Sequence, residues 1–231
     1  MRRPTPASLK KVTPENLARL GPERLAEILM AAADTRPDLK RWLRMELAAG
    51  QGAEHLALEI DKRLTSLETS RGKISWRRRA AFVTELDVLR GLIAERLSAL
   101  DAAMARDRLY RFLDLARRLA LRVRDRDGEM EAVFEAAARD LGAMLRNGGD
   151  PAPLAAAIAR YPSGWSEWLP QVLAEAPRTL VQPVLDTLRE SQAGVAGWTG
   201  ILRRLADAAG DVDAFRATFT RDRSEEHTSE L

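Results

Sequence analysis

His55 stands four residues before Glu59 in a stretch of helical character. That spacing, one helical turn, would let a carboxylate orient an imidazole for acid/base work. The only other histidine is His227 and there is no cysteine, so no metal or nucleophile set is visible around His55. We read it as a side chain at the surface or the core edge. Carboxylates recur as Asp107 with Asp114 and Glu129 with Glu131, but arginines stand three or four residues from most of them. Asp107–Arg111 and Asp114–Arg118 read as i,i+4 pairs, each worth about 0.2–0.5 kcal/mol on a solvated helix face. No His-Glu-x-x-His, Gly-x-x-x-x-Gly-Lys or Gly-x-Ser-x-Gly occurs, and Gly164-Trp165-Ser166-Glu167-Trp168 departs from the last pattern at its final residue. The expectation is a protein without catalytic residues, metal or cofactor.

Two groups point to binding instead. Arg71, Lys73, Arg77, Arg78 and Arg79 surround Trp76, placing five cations and a stacking-capable ring at one loop-helix junction where phosphates or a nucleic-acid backbone would fit. Consecutive arginines point around a helix, and cations at its N-terminus oppose the macrodipole. Trp76 is expected to anchor the loop by apolar packing. In the second half, Trp165 and Trp168 are three apart on one helix face and Trp198 follows later. They would line a groove for a peptide or helix, or else fill the core between helices.

The elements that position these residues are read from periodicity and punctuation. Thr13-Pro14-Glu15 is a helix start, with a hydroxyl cap and proline at the first helical position. A second helix follows Gly21-Pro22, with Leu25, Ile28, Leu29 and Ala32 as one buried stripe, and Pro37 opens a third through Trp42, Leu43 and Leu47. Leu56, Ile60, Leu64 and Leu67 face inward on a fourth, and the polar run 68–75 is a loop whose last residue, Ser75, caps a long helix carrying Phe82, Leu86, Leu89, Ile93 and Leu97. Asp101 caps a second long helix with Leu109, Phe112, Leu113, Leu119 and Val123 inward, so that residues 76–125 read as an antiparallel hairpin. After Gly128 comes a helix with Met130, Val133, Phe134, Ala137, Leu141 and Leu145 inward. Beyond Asp150-Pro151 the helices shorten, separated at Tyr161-Pro162, Ala176-Pro177, Ala193-Gly194 and Ala209-Gly210. The fold class is all-α, a helical array followed by an α-solenoid-like second half.

The 231 residues are 45% apolar and 31% charged, an ordinary globular balance. The formal net charge is +3, but five of 37 basic residues are lysine and the rest arginine. Such usage follows from a GC-rich gene, so charge alone names no partner. Without cysteine, a signal-like segment or a membrane-length apolar run, a cytoplasmic location is expected. We divide the chain into a flexible segment 1–12, a helical domain 13–147, a helical-hairpin region 150–222 and a tail 223–231. That tail, Arg223-Ser224-Glu225-Glu226-His227-Thr228-Ser229-Glu230-Leu231, resembles a translated sequencing adapter, which would place a truncation near Asp222.

Asn16-Leu17, Leu25-Ala26-Glu27-Ile28-Leu29, Glu59-Ile60-Asp61-Lys62-Arg63-Leu64, Ile74-Ser75-Trp76-Arg77, Tyr110-Arg111-Phe112-Leu113, Asp140-Leu141-Gly142 and Leu205 to Phe215 occur in an order that resembles a bacterial family of all-helical proteins known only as a domain of unknown function. The resemblance covers the chain to about Asp222 and implies further helical hairpins beyond it. It implies no activity and supplies no site residues. The leading functional expectation is a non-enzymatic scaffold that presents helix faces to a protein partner. The alternative is a nucleic-acid-associated protein using the patch at 71–79.

Overall fold

The computed structural model describes residues 10–190 and 197–219. The segment before Lys10, the Ala193-Gly194 break and the tail 223–231 lie outside them. The described residues are helical, with no strand among them. The chain divides into two compact units, Met1–Gly50 and Gln51–Leu231. The sequence reading places its boundary at 147–150 instead, and that boundary is crossed by helix packing.

The first unit holds α1 (Pro14–Ala18), α2 (Pro22–Thr35) and α3 (Pro37–Ala49). Each starts on a proline, whose fixed φ and missing N–H suit the first helical turn. Thr13 caps α1 as expected, its hydroxyl oxygen accepting from the Asn16 N–H at 3.3 Å. Gly21, at φ 79°, makes the bend into α2. α2 packs on α1 and on α3. The expected buried stripe on α2 is not closed: Leu25 and Ala32 are half-buried, while Ile28 and Leu29 are exposed. Among the described residues of this unit the buried apolar ones are Ala33, Met45, Ala48 and Ala49.

The second unit contains α4 (Ala53–Thr69) and α5 (Trp76–Gly91), which runs through a π-helical stretch Leu92–Leu97 into a last turn, Ser98–Leu100. It continues with α6 (Ala102–Asp114), α7 (Ala116–Ala120), α8 (Glu129–Leu145), α9 (Pro151–Arg160), α10 (Pro162–Leu173), α11 (Arg178–Glu190), α12 (Trp198–Ala209) and α13 (212–219). The wider π turn accompanies burial of Leu92, Ile93 and Leu97 together, although the first two are adjacent in sequence. α6 meets the preceding helix along this π stretch and its final turn, and packs also on α4, α8 and α9. Farther on, α8 packs on α10, α9 on α11, and α10 and α11 on α12. Contacts of α6 with α9 and of α8 with α10 span residues 147–150, which is why no boundary falls there.

Apolar positions expected to face inward on α4, α5, α6 and α8 are buried: Leu56, Ile60, Leu64 and Leu67, then Phe82, Leu86 and Leu89, then Leu109, Phe112 and Leu113, then Met130 through Leu145 at the periodic sites. Aromatic side chains fill the centre. Phe112 meets Phe134 at 5.2 Å between ring centroids, and Trp165 lies 5.9 Å from Trp168 and 6.2 Å from Tyr110, spacings at which tilted and edge-on rings attract. α8 and α10 approach closely because Gly142 has no side chain. A Cβ there would lie 2.7 Å from the Gln171 carbonyl oxygen.

Arginines tie α6 and the residues after it to α4. Arg111 grips Glu68 through Nε at 2.7 Å and Nη2 at 2.8 Å and also reaches Asp61 at 3.1 Å, while Arg108 bonds Asp61 at 2.6 Å. Arg118 donates to the Glu68 carbonyl at 2.9 Å, and Arg122 donates to those of Leu67 at 3.2 Å and Gly72 at 2.9 Å. Cations thereby satisfy carbonyls left open at the C-terminal end of α4, where the helix dipole is negative. The expected local pairs give way to these ties. Arg111 turns to Asp61 and Glu68 instead of Asp107, and Asp114 pairs with Arg160 instead of Arg118.

Candidate functional site

The expected Trp165, Trp168 and Trp198 groove is not an open surface: all three side chains are buried, Trp165 completely. Large rings are what the space between packed helices demands, and the core has taken them. His55 is exposed, a surface side chain, and Glu59 one turn on holds Lys62 at 2.5 Å.

Trp76 is the reverse case. It does not anchor the loop but stands 79% exposed at the start of α5, with the Arg77 guanidinium 5.4 Å from its ring centroid. Ser75 occupies the N-cap position, but its hydroxyl oxygen accepts no cap hydrogen bond. Arg71, Lys73, Arg77 and Arg78 are exposed. Arg79 leaves the group: it pairs with Asp127 at 2.5 Å and with Glu129 at 3.4 Å, and these carboxylates hold its guanidinium above its ordinary pKa. The 71–79 cluster therefore keeps four of its five cations on the open surface.

A second grouping escaped the sequence reading. Two shallow clefts, about 390 and 320 Å³, flank the Asp114–Arg160 ion pair. Glu68, Arg117 and Tyr161 line the first, and Asp107, Tyr110 and Arg111 the second. Burial pushes the Asp114 carboxyl above the usual carboxylate range, opposed by its bond to Arg160. Burial likewise raises the Tyr110 hydroxyl. Sequence signals existed only for Asp107, Arg111 and Asp114 on α6. Arg160 and Tyr161 arrive through the packing of α9 on α6, which no local spacing announces.

The most open apolar surface lies in the first unit. Leu17, Leu20, Ile28, Leu29, Met30, Trp42 and Leu47 are all exposed, Leu47 to 72%. Charges beside them are already paired locally, Arg24 with Glu27, Arg36 with Asp38 and Lys40 with Asp34. Among the described residues no group of three or more His, Asp or Glu is placed to hold a metal, and no helix is long and apolar enough to cross a membrane.

Packed helices throughout, with arginine ties between them, define an all-α protein. The chain belongs to the family of unknown function DUF6880, which matches residues 7–164. No curated protein and no solved structure matches it.

Proposed function

We propose that this protein is a non-enzymatic interaction scaffold, cytoplasmic, whose first unit offers exposed apolar side chains to a protein partner and whose second is a solenoid-like stack of helical hairpins. The observation that carries the reading is the open apolar surface of α1–α3. Burial of three alanines and one methionine, those among the described residues of the unit, removes too little apolar area from water to hold three short helices firmly. Covering Ile28, Leu29, Met30 and Trp42 would supply what is missing. The fitting occupant is an amphipathic helix of another protein, seated by its apolar face. Second-neighbour packing in the second unit, α8 on α10 and α9 on α11, supports the layered arrangement.

Photo-crosslinking tests the proposal. A benzoylphenylalanine replacing Met30 is expected to join the chain, in cells expressing it, to one defined protein, and Ile28→Asp with Leu29→Asp is expected to abolish that product while helical circular dichroism is retained. A product unchanged by the double substitution, or none at all, overturns it. Crosslinking only to a second copy of the chain would replace the partner by self-association.

A further inference from the structure

The entrance to α5 gathers more charge than the 71–79 run contains. Two contacts hold residues 74–79 beside residues 122–127. The Ile74 N–H donates to the Arg122 carbonyl at 2.9 Å, and Arg79 reaches Asp127. These anchors are five residues apart in both segments, so the stretches between them lie alongside one another and bring Arg124 and Arg126 to the junction. The neighbouring acids are engaged elsewhere. Asp127 and Glu129 hold Arg79, and Asp125 Oδ2 accepts the N–H groups of Met130 and Glu131 at 3.0 Å each, at the start of α8. What remains is Arg71, Lys73, Arg77, Arg78, Arg124 and Arg126, all exposed and without an acidic partner among the described residues. Beside them stand two exposed apolar side chains, Trp76 and Leu121, each 79% exposed.

We propose that this junction binds single-stranded nucleic acid, with backbone phosphates on the arginines and Lys73 and a base stacked on Trp76. Five of the six cations are arginine, whose planar fork accepts phosphate oxygens in pairs. Arg77 already lies over the Trp76 ring, and a cation beside an exposed aromatic adds to base stacking. With Arg79 the cations of this junction outnumber the nearby carboxylates of Asp125, Asp127 and Glu129, and a polyanion supplies the missing counter-charge. Single strands are favoured over duplex because only an unstacked base offers its face to Trp76. A membrane surface suits the junction less well, since interfacial binding needs a broad apolar face, and here two apolar side chains stand among cations with Asp127 and Glu129 close by.

The test is fluorescence anisotropy of a labelled oligothymidylate of about 20 nucleotides with the full chain, as salt rises from about 25 to 200 mM. With about four phosphates neutralised, log affinity is expected to fall against log salt with a slope of about −3. The variant Arg77→Ala/Arg78→Ala/Arg124→Ala/Arg126→Ala is expected to bind at least tenfold more weakly, with about half that slope. Trp76→Ala should lose about tenfold with the slope unchanged, and Trp76→Phe should restore most of the loss. Were the quadruple variant to melt below wild type, Arg77→Gln/Arg124→Gln takes its place, with a proportionately smaller loss. No binding at the lowest salt, equal binding by the arginine variants, duplex bound as tightly as the single strand, or binding to phosphatidylserine vesicles but not to the oligonucleotide each overturns the proposal.

Discussion

On α4, Leu56, Ile60 and Leu64 recur every four residues and are fully buried. On α2, Leu25, Ile28, Leu29 and Ala32 recur at the spacing of one helix face and lie half-buried or exposed. The difference arises from what each helix meets. α4 is closed over by α6, whose Arg108 and Arg111 bond Asp61 and Glu68, while Arg118 beyond it reaches the Glu68 carbonyl. α2 meets one five-residue helix and α3, and those contacts do not cover Ile28, Leu29 and Met30. Period 3.6 reports that a face is apolar. Whether it is covered depends on the number of neighbours, and in these two helices the number differs.

The comparison breaks most readily at the aromatic centre of the second unit. Trp165→Ala is expected to destabilise by about 3–5 kcal/mol, because a completely buried indole leaves a cavity that its neighbours cannot fill; urea unfolding followed by circular dichroism measures it, and a loss below about 1 kcal/mol would show a core far looser than the packing described.

A smaller effect sharpens the account of the arginine ties. The hydrogen bonds from Arg111 hold the Glu68 carboxyl below its usual range, so its contribution is present above the unfolded carboxylate pKa and is lost as pH falls through the lower folded value. Glu68→Gln should therefore cost about 1 kcal/mol at neutral pH, the gap to wild type closing below about pH 5. Asp114, raised by burial, has the opposite sign: its penalty at neutral pH is relieved on acidification. Thermal melts of both proteins from neutral to acid pH follow the gap, and a gap independent of pH would mean that Glu68 acts through packing alone.

The smallest effect belongs to the first unit. Leu47→Ser is expected to change stability by less than about 0.5 kcal/mol, since its side chain is already in water. A loss above about 1 kcal/mol in the isolated protein would mean that the apolar surface is covered without a partner.

Much of the fold was legible from punctuation. Prolines at 14, 22, 37, 151 and 162 open helices, and Thr13, Asp101 and Asp150 accept cap hydrogen bonds, because these signals act within one turn. The continuous helix expected after Asp101 was not found: it stops at Asp114 and resumes at Ala116. Of the candidate site, the Arg71–Arg78 cluster was legible as a run. Arg124 and Arg126 were not, since their place beside it depends on a hydrogen bond across 48 residues, from Ile74 to Arg122.

By itself, then, the sequence determined that the chain is helical, where most helices begin, and which face of each is apolar, since propensity, capping and periodicity are settled among residues a few positions apart. Only the tertiary structure decided that Trp165, Trp168 and Trp198 are enclosed while Trp76, Ile28 and Leu29 face water, and that Arg79 and Arg111 find carboxylates 48 and 43 residues away. The reason is physical: burial and ion pairing depend on which helices come to lie against one another, and no local rule encodes that choice.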